Sequence, residues 1–459
     1  MRTGLRTGRR RATVRPSPPA PPLRIRGMRL SSINEKEGTT DMDLNRHYAL
    51  LLGLGDEWRV EDVTLSLGAK RVDVYLEYAA KAAQCPECGR LGPVHDQQEE
   101  RTWRHLDTMQ FETLVHARTP RVRCPGHGVK VVELPWAAKH SRFTLMFEAF
   151  AVDVLKAAKS VRHAQELLRL GWRQTHDIME AAVERGLARR GADEVAFVGM
   201  DEKSFLHGKE ADDFACVMTD LDNHRILDVA RGRSEEGAKA LVDKALNPAQ
   251  QYMVCGVAMD MSAPFRKAVR DRMPNADVVY DRFHVEMHLN EGVDRVRRHE
   301  NRVLAKRNDK RLAKTKYLWL TGLEHLSDEA AARRRDLLRC GLDTGVAFGL
   351  KEAFSYFWKS RDKDYARAFF DDWFEEVAKA GLKPMAKVAR TLKRHLDGLL
   401  AWFDCRITNS LTEGYNATIQ ALKAAARGFR NFENFRTVIL FYCGKLDMRP
   451  DFVRCGLAL

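Results

Sequence analysis

An α/β protein with a mixed sheet is predicted by three observations on this 459-residue chain. Three strand-like runs at 194–233 lead into a helix–strand–helix–strand series. A β-rich stretch upstream is punctuated by two short cysteine-containing knuckles. Helical periodicity takes over at 143–190 and again from 286 to 405.

Bulk properties narrow the partners. The formal charge is +14, which favours a polyanion, most commonly nucleic acid. Nine cysteines is an odd number, and most stand singly inside apolar segments. That pattern fits thiols or a metal site in a reducing, cytoplasmic setting, not a disulfide framework. No apolar run approaches the roughly 20 residues that cross a bilayer, so no membrane partner is expected. Residues 1–41 are rich in Arg and Pro and almost free of acids. They read as a disordered basic arm, or as residues upstream of a natural start at Met42.

Residues 42–140 read as an N-terminal module in which about 56–136 favours short strands, among them "RVDVYLEY", "FETLVHARTPRVRC" and "VKVVELPW". "CPECG" offers Cys85 and Cys88, and "RCPGHG" offers Cys124 and His127. Each knuckle spaces two ligands by two residues, and a tetrahedral Cys3His set suits structural zinc. A hairpin would bring the knuckles together. His127 could instead be a surface residue, with His95, His105 or His116 as the fourth ligand.

Residues 141–192 turn helical. Ser160 can cap "SVRHAQELLRL", with Val161, Ala164, Leu167 and Leu168 on one face, and Gly171 ends that helix. The next helix, "WRQTHDIMEAAVERGLARR", turns Ile178, Met179, Ala182 and Val183 inward. Two helices joined by a short turn make a helix-turn-helix or an ordinary helical hairpin. In the first case the opening turn of the second helix offers Arg173, Gln174, Thr175 and His176 to DNA.

Residues 193–285 supply the strands "EVAFVGMDEKSF", "DFACVMTDLDN" and "RILDVARGR", then a helix at "SEEGAKALVDKAL". "YMVCGVAMDMSA", a helix at "PFRKAVRDRM" and "ADVVYDRFHV" follow. Three hairpin strands followed by helix–strand–helix–strand is the order of a ribonuclease-H-like core. Residues 286–405 read as an all-helical insertion, and 406–459 as the C-terminal helices of the core.

The first strand ends in adjacent acids, Asp201 and Glu202, which alternation sends to opposite faces. The strand "VCGVAMDMSA" likewise ends in Asp260. Each has a Gly shortly before its Asp. If the strands are neighbours, two carboxylates converge and repel unless divalent cations hold them. Hard oxygen ligands suit Mg2+, and two ions about 3.5–4 Å apart can serve phosphodiester chemistry.

"GMDEKSF", "VAMDM", "YDRFHVEMHLNE", "TNSLTEGYN" and "ARGFRNFENFR" resemble the DDE transposases of the ISL-three insertion-sequence family. The resemblance runs from about 42 to 450 and includes the knuckles and the helix pair. It implies Asp201, Asp260 and Glu413 as catalytic ligands of two Mg2+ ions, with Mn2+ an alternative. It also implies the helical insertion before Glu413. Read without it, "SLTE" is a capping box in which Ser410 bonds forward and Glu413 reaches back.

Asn416 lies one turn beyond Glu413 and would orient it or touch DNA. Asp281 and His284 would be supporting groups for phosphate or water, or a satisfied strand-to-helix junction. Phe429, Phe432 and Phe435 recur every third residue, with Arg427, Arg430 and Arg436 between them. The phenylalanines would pack into the core, or stack on unpaired bases. The arginines would bind phosphates. The expected function is a transposase that binds terminal inverted repeats, cuts them and transfers the strand into target DNA. A homodimer or larger assembly on double-stranded DNA is expected. The competing reading is a DNA-binding regulator with a silent core.

Overall fold

The computed structural model describes residues 44–191, 193–206, 208 and 210–452. The expected basic arm at 1–41 lies outside the described residues, as does 453–459.

The N-terminal part, up to about residue 131, is a sheet preceded by the helix Leu44–Leu51. Its strands are β1 (Trp58–Ser66), β2 (Arg71–Tyr78), β3 (Ala82–Gln84), β4 (Leu91–Thr108), β5 (Phe111–Cys124) and β6 (Gly128–Val131). They lie in the order β1-β2-β5-β4-β3, with β6 paired to the end of β5. Trp58, Trp103 and Trp136 meet edge to face in the core of this unit, where such contacts satisfy the ring quadrupoles. β2 and β5 match the expected strands residue for residue. "VKVVELPW" contributes a strand only as far as Val131. The 18-residue β4 was not expected. Its middle, "HDQQEER", is polar on both faces and carries no alternation to read.

Thr144 caps the helix Leu145–Ala158, and Ser160 caps Val161–Leu168 by accepting from the His163 N–H. A left-handed Arg169 ends that second helix, and Gly171 instead starts the third, Trp172–Arg189. Val161, Ala164, Leu168, Ile178, Met179, Ala182 and Val183 are buried as expected. Leu167 is not: it is 68% exposed. An eight-residue helix has room for only one narrow apolar stripe, and Leu167 lies beside it.

The second sheet holds β7 (Phe197–Ser204), β8 (Phe214–Asp220), β9 (Arg225–Arg231), β10 (Gly256–Met259) and β11 (Asp277–Tyr280). Their order is β11-β10-β7-β8-β9. β7, β8 and β9 form antiparallel hairpins, while β10 and β11 run parallel to β7. β7 does not stop at its acid pair but runs on to Ser204. Asp201 and Glu202 keep ladder partners in Val217 and Cys216 of β8, and the hairpin carries them past the sheet centre.

The two faces of this sheet are covered differently. Val198, Met200, Cys216 and Met218 pack under the helices Glu235–Ala245 and Ala263–Arg272 and continue into the helical region. Ala215, Val217, Ile226 and Val229 pack under the Trp172–Arg189 helix and two C-terminal helices, Ser410–Ala425 and Phe432–Cys443. Between Arg282 and Cys405 the described residues form helices and turns without a strand. Trp319, Phe354, Phe357, Phe370 and Trp373 are buried there and form that region's aromatic core.

Candidate active site and metal cluster

Asp201 lies in the second half of β7. On the parallel neighbour, Gly256 sits beside Phe197 and Ala258 beside Gly199. The ladder stops there and β10 ends at Met259, so Asp260 lies just past its strand end, near enough to repel both Asp201 and Glu202. Asp260 then turns the chain, its Oδ1 accepting from the Ser262 N–H at 3.0 Å.

The Ser410–Ala425 helix is stitched across the same sheet. Thr412 Oγ1 lies 2.6 Å from Thr219 Oγ1 of β8. Asn409 donates from its side chain to the Met200 carbonyl at 3.3 Å. Its backbone N–H donates to Asp281 Oδ2 at 2.6 Å, and Asp281 Oδ1 accepts from the Phe283 N–H. Asp281 is therefore a satisfied junction that ties β11, the Arg282–Lys306 helix and the Glu413 helix together. Gly199 makes room for this approach: an added Cβ would stand 2.2 Å from Thr412 Oγ1. The capping box is absent. Asn409, not Ser410, occupies the cap position, and Glu413 in the first turn lies within electrostatic reach of Asp201 and Asp281.

Asn416 Nδ2 donates to Asp201 Oδ2 at 2.6 Å, so it orients the first acid and not Glu413. The other Asp201 oxygen accepts from the Glu202 N–H. Burial raises the Asp201 carboxyl above its ordinary range, and Asp260 adds repulsion. Burial likewise raises Glu413, with Asp281 and Asp201 adding to it. His284 opposes both shifts, and its Nε2 is buried without a hydrogen-bond partner. Glu202 lines one cleft with Asp260 and His284, is raised by burial, with Asp260 and Asp201 adding to it, and lies 3.6 Å from Arg233.

Reasoning from sequence missed Asn409, Thr412 and Thr219, which hold the Glu413 helix in place. Their signal was the glycine at 199: a residue without Cβ in a strand marks a close approach.

The knuckles converge. Cys88 and Cys124 sulfurs are 3.7 Å apart, and His127 Nδ1 is 3.6 Å from Cys124 and 3.8 Å from Cys85. All four ligand atoms lie within 4.8 Å of one another. Tetrahedral zinc with bonds near 2.3 Å needs ligand edges of about 3.7 Å. His127 holds the Cys124 thiol down to about 6, where the ligating thiolate is accessible. The alternative histidines have other partners: His95 faces Arg123, His105 bonds Thr144, and His116 bonds Asp73.

Two expectations about DNA contacts need correction. Arg173 and Gln174 are exposed, but Thr175 and His176 are buried. Thr175 bonds back to the Gly171 carbonyl, and His176 stacks under Trp172. The first helical turn has only one outward face, and positions 175 and 176 lie on the other. Arg436 is spent on a two-point ion pair with buried Asp228, at 2.6 and 2.8 Å. Arg427 and Arg430 are exposed. Phe435 is buried and Phe429 and Phe432 half-buried, packed with Phe205 in one ring cluster.

A transposase family profile of the ISL3 group matches residues 198–439, more than half the chain. The chain belongs to the ISL3 transposase family. Two further profiles fit this transposase: the zinc finger of transposases IS204/IS1001/IS1096/IS1165 at 81–127, and the helix-turn-helix domain of family ISL3 at 132–183. The order is thus zinc ribbon, helix-turn-helix and transposase domain. The chain is similar to the transposase for insertion sequence element IS1001 of Bordetella parapertussis: 27% identical over 371 residues, 80% of this chain and 90% of that protein. It is also similar to the transposase for IS1557 of Mycobacterium tuberculosis, 26% identical over 418 residues, covering 84% and 92%. No described helix of the transposase is long and apolar enough to cross a membrane.

Proposed function

We propose that this transposase cuts the inverted repeats at its element's ends and joins them to target DNA at a centre made of Asp201, Asp260 and Glu413. The observation that carries the reading is the approach of the Ser410–Ala425 helix to β7, with Asn416 on Asp201 and Glu413 within electrostatic reach of it. The strand order, three antiparallel strands with two parallel ones added beside the first, supports a ribonuclease-H-like core. We assign 42–140 to the zinc-binding module, 141–192 to the helix-turn-helix, 193–285 and 406–459 to the core, and 286–405 to the insertion.

The donor set fits divalent metal. Half-buried carboxylates that repel one another, as Asp201 and Asp260 do, stay ionised together only beside a cation, and both Asp201 oxygens keep a lone pair beyond their bonds to the Glu202 N–H and Asn416. Two Mg2+ ions, or Mn2+, on Asp201, Asp260 and Glu413 would neutralise charge on the attacking and leaving oxygens of a phosphodiester. The chain supplies the rest. Asn416 fixes the Asp201 carboxylate, and Asp281 fixes the start of the Glu413 helix. His284 offers an unpartnered Nε2 to a phosphate oxygen. Cys85, Cys88, Cys124 and His127 would hold a structural zinc. Arg173, Gln174, Arg427 and Arg430 face double-stranded DNA. Two ends must be held at once, so the working form is a dimer or larger assembly. Binding weakens steeply with salt.

The test compares wild type with Asp260→Asn on inverted-repeat duplexes. Cleavage should require Mg2+ or Mn2+ and fall by on the order of 10³-fold in the variant, with binding retained. Equal cleavage by both would remove Asp260 from the mechanism. Binding without cleavage under any divalent metal would mark a silent regulator.

A further inference from the structure

A cleft of about 480 Å³ opens between the helix-turn-helix and the segment after the Glu413 helix, away from the acids. Trp172 lines it, 46% exposed, with its ring stacked on His176 at 4.9 Å and 19°. Two side-chain atoms on residues that line the cleft are buried without any hydrogen-bond partner: His176 Nε2 and Gln165 Oε1. A buried polar atom left unpaired is costly, so the Gln165 oxygen in the wall of this cleft points to a ligand that donates to it. Exposed Arg162, Arg427 and Arg430 line the same cleft.

We infer that this cleft takes one unpaired nucleobase from the bound DNA end. The inference rests on the transposase reading. Trp172 supplies its free face for stacking, the other being covered by His176, and Gln165 Oε1 accepts a hydrogen bond from the base edge. The arginines hold the phosphates on either side. An aliphatic or peptide ligand would not need three cations. A duplex base pair is too wide for a cleft this small. The Ser410–Ala425 helix runs from the acids to the cleft. The 12 steps from Glu413 to Ala425 span about 18 Å, or roughly five nucleotides of one strand. The extruded base therefore lies about that far from the scissile phosphate, and its capture sets the register of the cut.

The experiment uses the full chain and end duplexes in which a single mismatch is walked through the ten positions nearest the cut. A mismatch removes the cost of unpairing, so at one position wild type should bind at least about tenfold tighter than to the matched duplex. Trp172→Ala should lose that gain and Trp172→Phe should keep it. The inference is overturned if wild type binds and cuts the matched end yet gains nothing at any position. It is also overturned if Trp172→Ala keeps the full gain. If the matched end is not bound at all, the inference falls together with the transposase reading.

Discussion

The Cys3His cluster and the carboxylate centre are both proposed metal sites, yet they are assembled in opposite ways. The cluster is local. Cys85 and Cys88 share one turn beside β3, Cys124 and His127 share the β5–β6 hairpin, and only the β-ladder separates the pairs. The carboxylates are far apart in the chain, and their approach is set by parallel strands, a helix start and a glycine gap. The difference teaches where each site's order comes from. The first would depend on a bound ion for cohesion. The second is held by hydrogen bonds and packing that exist before any ion arrives.

Removing zinc should break that comparison most sharply. Structural zinc contributes on the order of 10 kcal/mol or more in small zinc modules. Chelation should abolish amide-exchange protection around residues 81–131 and leave β7–β11 protected. Loss of protection in both would show that the two sites are not independent.

Protonating His105 should have the next largest effect. His105 bonds Thr144, the cap of the first helix of the helix-turn-helix, and so ties the ribbon sheet to it. Burial lowers its pKa to about 4, with Arg104 adding to the shift. The unfolded chain binds this proton near 6.5, the folded one only near 4. The stabilisation is therefore complete above pH 6.5 and lost as pH falls toward 4, amounting to about 3 kcal/mol. Urea melts of wild type and His105→Gln should converge across that window. Parallel pH profiles would exclude His105 as the source.

Gly199→Ala tests the carboxylate centre alone. Its Cβ meets backbone-anchored Thr412, Thr219 and Asn409, so the variant should lose about 1–3 kcal/mol. Cleavage should fall as the Glu413 helix is pushed off, and zinc content should stay whole. An unchanged melting point would show that the helix start yields freely. Gly89→Ala is the mirror test and the smallest effect. Gly89 has open space but φ of +68°, so the cost is about 1 kcal/mol of left-handed strain. Zinc affinity should drop several-fold with cleavage of zinc-loaded protein unchanged. A loss of cleavage would couple the sites.

By itself the sequence determined what is local. Knuckle spacing named the three cysteines and offered His127 as the fourth ligand, periodicity drew the buried stripes of 161–183 except at Leu167, and strand alternation separated Asp201 from Glu202. The family resemblance, and not periodicity, singled out Glu413, since its own neighbourhood spelled a helix cap. Tertiary structure decided which local promises were kept. Thr175 and His176 look like free donors until the helix is docked and turns them inward. Arg436 looks like a phosphate ligand until Asp228 of β9 claims it. The physical reason is that side-chain identity fixes chemistry and turn preference within a few residues. Burial and partnership are set by whatever distant segment packs alongside, as Asn409 and Thr412 pack onto the bare backbone at Gly199.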